Sequence, residues 1–225
     1  MPNLSKTMHI KTFQFNFIEV NTYVLYDETK EAVIIDPGMM TEKEENILDA
    51  YITQYQLTVK CVAITHAHVD HVLGCGFCAR KYNVPIWMHE AGLPIYESAV
   101  SYGVVCNLPC EKDNFPVINH FYKAGDILRF GNGQGLKVLY TPGHADGSVC
   151  LYSETEHCVF VGDVLFEGSI GRSDFPTGNI RTLLESIRTQ LLTLPDDTVV
   201  YSGHGPATTI GQERATNPYV KRIPQ

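Results

Sequence analysis

Residues 65–71 read Thr-His-Ala-His-Val-Asp-His, and no other stretch restricts the chain as much. His66, His68, Asp70 and His71 place three imidazoles and a carboxylate within six residues. An apolar run, residues 59–64 (Val-Lys-Cys-Val-Ala-Ile), precedes them and reads as a buried strand. A helical pattern over residues 72–82 follows. Ligands gather at the carboxyl ends of strands in layered α/β folds, so the motif reads as half of a metal site.

Three further strand-like runs end in the same way. Thr141-Pro142-Gly143-His144, Gly162-Asp163 and Ser202-Gly203-His204-Gly205-Pro206 each set a His or Asp just past a β-run, beside small or turn residues. Five of the nine histidines (His66, His68, His71, His144, His204) fall at such ends. His9, His89, His120 and His157 do not, and read as ordinary surface or hydrogen-bonded side chains. A donor set of imidazole and carboxylate without thiolate suits zinc, and also iron or manganese.

Around these points the pattern alternates between strand and helix. Residues 8–20, 21–27 and 31–35 read as strands with connections too short for helical crossovers, hence an antiparallel meander. Asp36-Pro37-Gly38 closes it with turn chemistry. Thr41 with Glu44 forms a capping box for a helix whose apolar face is Ile47, Leu48, Tyr51, Ile52 and Tyr55. Residues 85–89 read as a strand and 93–105 as a helix, and the loop-rich stretch 91–120 is a candidate cover for the site. Strands are expected at 126–130, 136–140, 148–152, 157–161 and 198–201, with a tight glycine turn at 131–135. Helices are expected at 179–194, stopped by Pro195, and around 212–216. Two sheet-plus-helix halves without a linker suggest one domain over residues 1–225, with two mixed sheets face to face and helices outside, an αββα sandwich in the α/β class.

Net charge is −8 with no basic cluster, which argues against a nucleic-acid or anionic-membrane partner. No apolar run approaches a membrane span, and the first residues lack the apolar core of a secretory signal, so a cytoplasmic protein is expected. An odd count of cysteines, 7, fits a reducing compartment. Cys75-Gly-Phe-Cys78 has no second pair at zinc-ribbon spacing and reads as helix packing, as do Cys106 and Cys110 around their proline loop.

Taken together, Asp36, residues 65–71, His144, Asp163 and His204 stand in the order of the metallo-β-lactamase superfamily, which the sequence resembles over nearly its whole length. The resemblance implies the αββα fold. It implies one metal on His66, His68 and His144, and a second on Asp70, His71 and His204, with Asp163 bridging. Asp70 is also the candidate catalytic carboxylate, and Asp36 an orienting residue, although an Asp-Pro-Gly turn accounts for Asp36 equally well. Two divalent ions, zinc first, would provide a hydroxide as nucleophile in place of a side chain.

Residues 162–175 and 202–206, with Glu213-Arg214-Ala215-Thr216-Asn217-Pro218, look like the compact bacterial glyoxalase II-like branch. That implies hydrolysis of a small-molecule thioester such as S-lactoylglutathione, whose thiolate leaves without much help from an acid. The longer enzymes of that branch carry a C-terminal helical domain that helps bind glutathione, and with only residues 205–225 after His204 such a domain is not expected here. Arg172 is the nearest replacement clamp, or else an ion-pair partner of Asp174. Gly171-Arg172-Ser173-Asp174-Phe175 is also similar to the persulfide dioxygenases of the superfamily, which would use one iron at His66, His144 and Asp163. A lactonase is a lesser alternative.

Overall fold

Alternate residues of the apolar runs are buried on opposite faces, and this alternation builds the layers. The computed structural model describes residues 7–105, 108 and 110–222. Its first sheet has the order β1 (His9–Phe15), β2 (Val20–Tyr26), β3 (Glu31–Ile35), β4 (Thr58–Ala63), β5 (Ile86–His89) and β6 (His120–Tyr122). The first two pairings are antiparallel and the other three parallel, so the meander expected at the N-terminus opens a mixed sheet. The second sheet runs β14 (Thr208–Thr209), β13 (Val199–Ser202), β10 (Cys158–Gly162), β9 (Val149–Ser153), β8 (Gln134–Tyr140) and β7 (Ile127–Phe130). It is antiparallel except between β10 and β13. A small hairpin, β11 (Leu165–Phe166) with β12 (Ser169–Ile170), stands apart.

Each sheet is buried on both faces, which explains why its central strands read as continuous apolar runs. From β3, Val33 and Ile35 point toward the other sheet and meet Leu136, Val138, Leu151 and Phe160. Ala32 and Ile34 point the other way, into a layer with Leu48, Ile52, Met39 and Val72. On the far side, Val159, Val161, Cys150 and Val200 pack against Leu183, Ile187, Leu191 and Ile210. Helix, sheet, sheet, helix is therefore the layer order, as the sequence led us to expect.

The outer helices are α1 (Glu42–Gln54), α2 (Val69–Val72), α3 (Cys75–Tyr82), α4 (Leu93–Val105), α5 (Ile180–Ser186) and α6 (Ile210–Thr216). The capping box is present: Thr41 accepts from the Glu44 N–H at 3.3 Å, and Glu44 accepts from the Thr41 N–H at 3.0 Å. Leu48 and Ile52 are buried as expected, but Ile47 and Tyr55 are exposed, so the apolar face is narrower than the pattern suggested.

Several boundaries differ for identifiable reasons. The first strand stops at Phe15, because Asn16 and Glu19 take positive φ (54° and 59°) and turn the chain back into β2. The helix expected over 72–82 is broken: a single turn carries Asp70 and His71, and Gly74 separates it from α3. A side chain at Gly74 would strike Met39 and the Pro37 carbonyl. The helix expected over 179–194 widens into a π-helical turn at Ile187–Leu191. The short strands β6, β11, β12 and β14 were not anticipated; each has four residues or fewer and little periodicity to read. Cys75 and Cys78 are free thiols buried in the core, whereas Cys106 lies outside the described residues. Among the described residues, no helix is long and apolar enough to cross a membrane.

Candidate metal centre

The carboxyl-terminal ends of both sheets converge on one cluster. β4 delivers Thr65 and His66, the turn of α2 delivers Asp70 and His71, the end of β10 delivers Asp163, and the end of β13 delivers His204. His144 arrives on the loop after β8, where Gly143 (φ 126°) lets the backbone pass against Leu183.

Three groups of side chains in this cluster each bring their donor atoms within 4.8 Å of one another: His66 with His68 and His144; Asp70 with His71 and His204; and Asp36 with His66 and His71. The first two are the ligand sets expected from the sequence. Asp163 lies between them. Its Oδ1 is 3.4 Å from His71 Nε2, and its Oδ2 is 3.6 Å from His144 Nε2 and 3.7 Å from His204 Nε2. Asp70 Oδ2 stands 3.3 Å from His204 Nε2 and 3.5 Å from His71 Nε2.

The third group is of another kind, since the Asp36 oxygens are already engaged. Oδ1 accepts from the Thr65 N–H at 2.7 Å, while Oδ2 accepts from the Thr65 hydroxyl at 2.5 Å and from His71 Nδ1–H at 3.0 Å. Asp36 adopts φ 48°, a left-handed conformation that aspartate tolerates better than most residues. It is thus both the turn residue and the orienting residue, and the two readings of the sequence describe one side chain.

Four imidazoles have one nitrogen turned to an oxygen outside the cluster, which leaves the other facing inward. His144 Nδ1–H donates to the Arg172 carbonyl at 2.7 Å, and His204 Nδ1–H to the Ile18 carbonyl at 3.0 Å. The Thr65 oxygen accepts from His66 Nδ1–H at 3.2 Å, and Asp36 fixes His71. His68 presents Nδ1 instead, 2.9 Å from His144 Nε2. His66 Nε2, His71 Nε2 and Asp163 Oδ1 are buried with no hydrogen-bond partner. Each such atom costs about 1–3 kcal/mol when left unpaired, and a cation among them would satisfy all three.

The electrostatics point the same way. Burial, reinforced by the neighbouring histidines, pushes His66 well below its ordinary pKa. Burial and His144 bring His68 down to about 4. Burial also lowers His144, against the pull of Asp163. These three are neutral imidazoles, the form that binds metal. Burial would lower His71 too, but Asp70 and Asp163 hold it well above its usual value. His204 rises against burial through Asp70 and Asp163. Burial would raise Asp163, yet His71, His144 and His204 keep it far below the usual carboxylate range. A cation placed among the second set would take over the role of these protons.

Glycine permits the cluster to close. A Cβ on Gly203 would collide with Asp163 Oδ1 and lie 2.7 Å from His71 Cε1. The loop that carries Gly203 and His204 is clamped from the other sheet. Asn21 donates to the Ser202 and Gly205 carbonyls at 3.0 and 2.8 Å, and the Tyr23 hydroxyl donates to Ser202 at 2.6 Å. The sequence reading missed both clamps, although polar Asn21 and Thr22 inside a wholly buried strand were a visible signal. It could not have found the Ile18 and Arg172 carbonyls, because backbone groups leave no trace in residue type.

A cavity of ≈ 760 Å³ opens over the cluster, walled by Phe17, Ile18, Tyr102, Phe166, Ile170 and Phe175 among others. Of the stretch proposed as a cover, Tyr102 and Leu108 reach the cavity, whereas Tyr96 and Phe115 pack against each other 5.9 Å apart. Arg172 is in a bidentate ion pair with Asp174, at 3.0 and 2.9 Å. His9 and His157 pair with Glu28 and Asp197, and His120 lies against Trp87, all away from the cluster.

A family model for the metallo-beta-lactamase superfamily matches residues 16–204. The chain is 36% identical over 214 residues to the hydroxyacylglutathione hydrolase GloC of Haemophilus influenzae, covering 95% of this chain and 98% of that protein. Among solved structures, the BLEG-1 B3 metallo-beta-lactamase superposes with a TM-score of 0.83 at 34% identity, covering 94% of this chain and 99% of that one. TTHA1623, in a di-iron-bound form, gives 0.81 at 34% identity with the same coverage. ETHE1 from Myxococcus xanthus gives 0.76 at 29% identity, covering 96% and 84%. Matches of this extent, joined to the layer order and the histidine–aspartate cluster, show that the chain belongs to the metallo-β-lactamase superfamily and is a metal-dependent hydrolase of that kind.

Proposed function

We propose that the chain is a binuclear hydrolase that cleaves a small-molecule thioester of the S-lactoylglutathione type. The observation that carries the reading is the second set, Asp70, His71 and His204, which is complete and oriented as carefully as the first. His66, His68 and His144 would hold one divalent ion and Asp70, His71 and His204 the other, with Asp163 lying between the two sets. Zinc fits this donor set, and so does iron; TTHA1623, which resembles the chain, is known in a di-iron form. When bound, such a pair lowers the pKa of water and polarises a carbonyl.

The chain's own residues do the remaining work. Ile18, Arg172, Thr65 and Asp36 hold the imidazoles so that little reorganisation is needed during reaction. Asp70 lines the cavity; its Oδ2, turned to His204 and His71, would help hold the second ion, and its other oxygen would be left to accept a proton from water. The leaving thiol has a pKa of about 8.5, so it departs as thiolate and needs no acid on the cavity wall. The similarity to GloC over nearly the full length supports a thioester as substrate.

The single-iron dioxygenase is the second reading, favoured by the likeness of Gly171-Arg172-Ser173-Asp174-Phe175 to that branch. It leaves His68, Asp70, His71 and His204 without a task. Purification without added metal, elemental analysis and assay separate the two. About two metals per chain with lactoyl-thioester hydrolysis supports the hydrolase. One iron with oxygen consumption on a persulfide supports the dioxygenase.

A further inference from the structure

A second cavity, of ≈ 220 Å³, adjoins the first, and His68, Val69, Tyr102 and Phe175 line both. It runs from the cluster toward α4 and the segment 175–177. The Phe175 ring stands edge-on to His68 with centroids 5.5 Å apart, so the side cavity begins beside a histidine of the centre.

Beyond His68 and Tyr102 at its mouth shared with the larger cavity, its wall is mostly hydrocarbon: Ala67, Val69, Pro94, Ile95, Ala99 and Pro176. The two aliphatic hydroxyls on it are turned to the backbone. Ser98 donates to the Ile95 carbonyl at 2.8 Å, and Thr177 accepts from the Asp146 N–H at 3.1 Å. Neither Lys nor Arg lines it, and of the residues lining the larger cavity the one Lys or Arg is Arg172. That guanidinium is held by Asp174 and lies over the Phe175 ring, 4.2 Å from its centroid. A carboxylate entering the side cavity would lose its water and find no lysine or arginine on the wall, whereas a hydrocarbon chain would lose nothing. At about 30 Å³ per water-sized unit, ≈ 220 Å³ accommodates a chain of about six carbons.

We propose that this side cavity is a subsite for an uncharged, unbranched hydrocarbon arm of about six carbons on the thioester substrate. The proposal rests on the thioester-hydrolase reading above and narrows it: the preferred substrates carry an apolar arm. The arm belongs to the acyl group or to the thiol, and the two sources share one chemistry.

The test uses the full chain in its metal-loaded form. One kinetic series varies the acyl group on N-acetylcysteamine (acetyl, butanoyl, hexanoyl, dodecanoyl). A second varies the thiol in acetyl thioesters (ethane-, butane- and hexanethiol). A binding series uses the inert methyl, butyl and hexyl thioethers of N-acetylcysteamine. Each fully buried methylene adds about fourfold, so the step from four to six carbons is expected to raise kcat/KM about fifteenfold in one kinetic series, and affinity likewise among the thioethers. Ser98→Phe, at an exposed position on the rim, is expected to abolish the six-to-four ratio. Ile95→Ala is expected to move the optimum to a longer chain. Flat profiles in all three series, or a chain-length preference unchanged in both variants, would overturn the subsite. If every thioester is inert while the hexyl thioether still binds in a Ser98-sensitive way, the subsite stands and the hydrolase reading falls. Equal hydrolysis of all chain lengths leaves the hydrolase and removes the subsite.

Discussion

Replacing Asp36 with Asn changes one buried atom and tests how the cluster is oriented. The carboxylate accepts three hydrogen bonds: one from the Thr65 N–H at Oδ1, and two, from the Thr65 hydroxyl and His71 Nδ1–H, at Oδ2. An amide has a single oxygen. If its NH2 replaces Oδ2, it confronts His71 Nδ1–H, and the ring must move or give up that proton. If its NH2 replaces Oδ1, the buried Thr65 N–H loses its acceptor. Either way at least one buried donor is stranded, at about 1–3 kcal/mol. For a chain of this size that lowers the melting temperature of the metal-free protein by several degrees, at about 2–4 °C per kcal/mol. Loss of an orienting partner also weakens metal binding about 10–100-fold. The loss should fall more heavily on the ion held by His71, which Asp36 touches directly, than on the ion held by His66, which Asp36 reaches only through Thr65. Competition against a chromogenic chelator, read together with thermal melts, reports both quantities. A variant that melts lower yet binds both metals with parental affinity would refute the orienting role and leave Asp36 as a turn residue alone.

Gly203→Ala drives a methyl group into Asp163 Oδ1 and toward His71, so overpacking of about 1–3 kcal/mol is expected within the cluster. Metal content and turnover should both fall by tenfold or more, and parental values for both would show that the loop moves freely. Asn21→Ala strips donors from the Ser202 and Gly205 carbonyls; occupancy of the His204 position should drop in elemental analysis, and a full complement of metal would refute the clamp. Asp27 links the sheets by accepting from the Thr29 N–H and hydroxyl and from the Asn132 N–H. Burial raises its pKa, but the Thr29 hydroxyl and the Asn132 N–H outweigh that and hold it below 3.8. A depressed carboxylate stabilises the fold above its unfolded pKa and loses that contribution as pH falls through its folded value. Asp27→Asn should therefore cost about 1.5–3 kcal/mol at pH 7, and the gap to the parent should shrink below about pH 4, which denaturant titrations at several pH values will read. A gap that persists unchanged at low pH would exclude the carboxylate charge as its source.

Much of this architecture can be read from residue order. Strands such as β3 and β10 are buried on both faces, so they appear as unbroken apolar runs, and the candidate ligands follow runs of this kind, His144, Asp163 and His204 each directly after a glycine. Thr41 and Glu44 announced α1 through capping chemistry that is local by nature. What could not be read depends on distant contacts. The break at Gly74 follows from Met39 and Pro37 pressing on that position, and β6 exists because β5 offers it an edge. At the site, residue type singled out the seven side chains that the fold brings together, but not which nitrogen of each histidine faces inward. For His204 and His144 that is set by the Ile18 and Arg172 carbonyls, far away in sequence. Of the two roles the sequence left open for Arg172, a clamp or an ion-pair partner of Asp174, the structure shows the ion pair.

The central claim is that two sets of ligands share Asp163, and counting metals tests it most directly. Metal-free protein titrated with zinc or iron(II) should take up two ions per chain, His204→Ala one, and Asp163→Ala should weaken both. Saturation of the parent chain at one ion, with His204→Ala indistinguishable from it, would contradict the account.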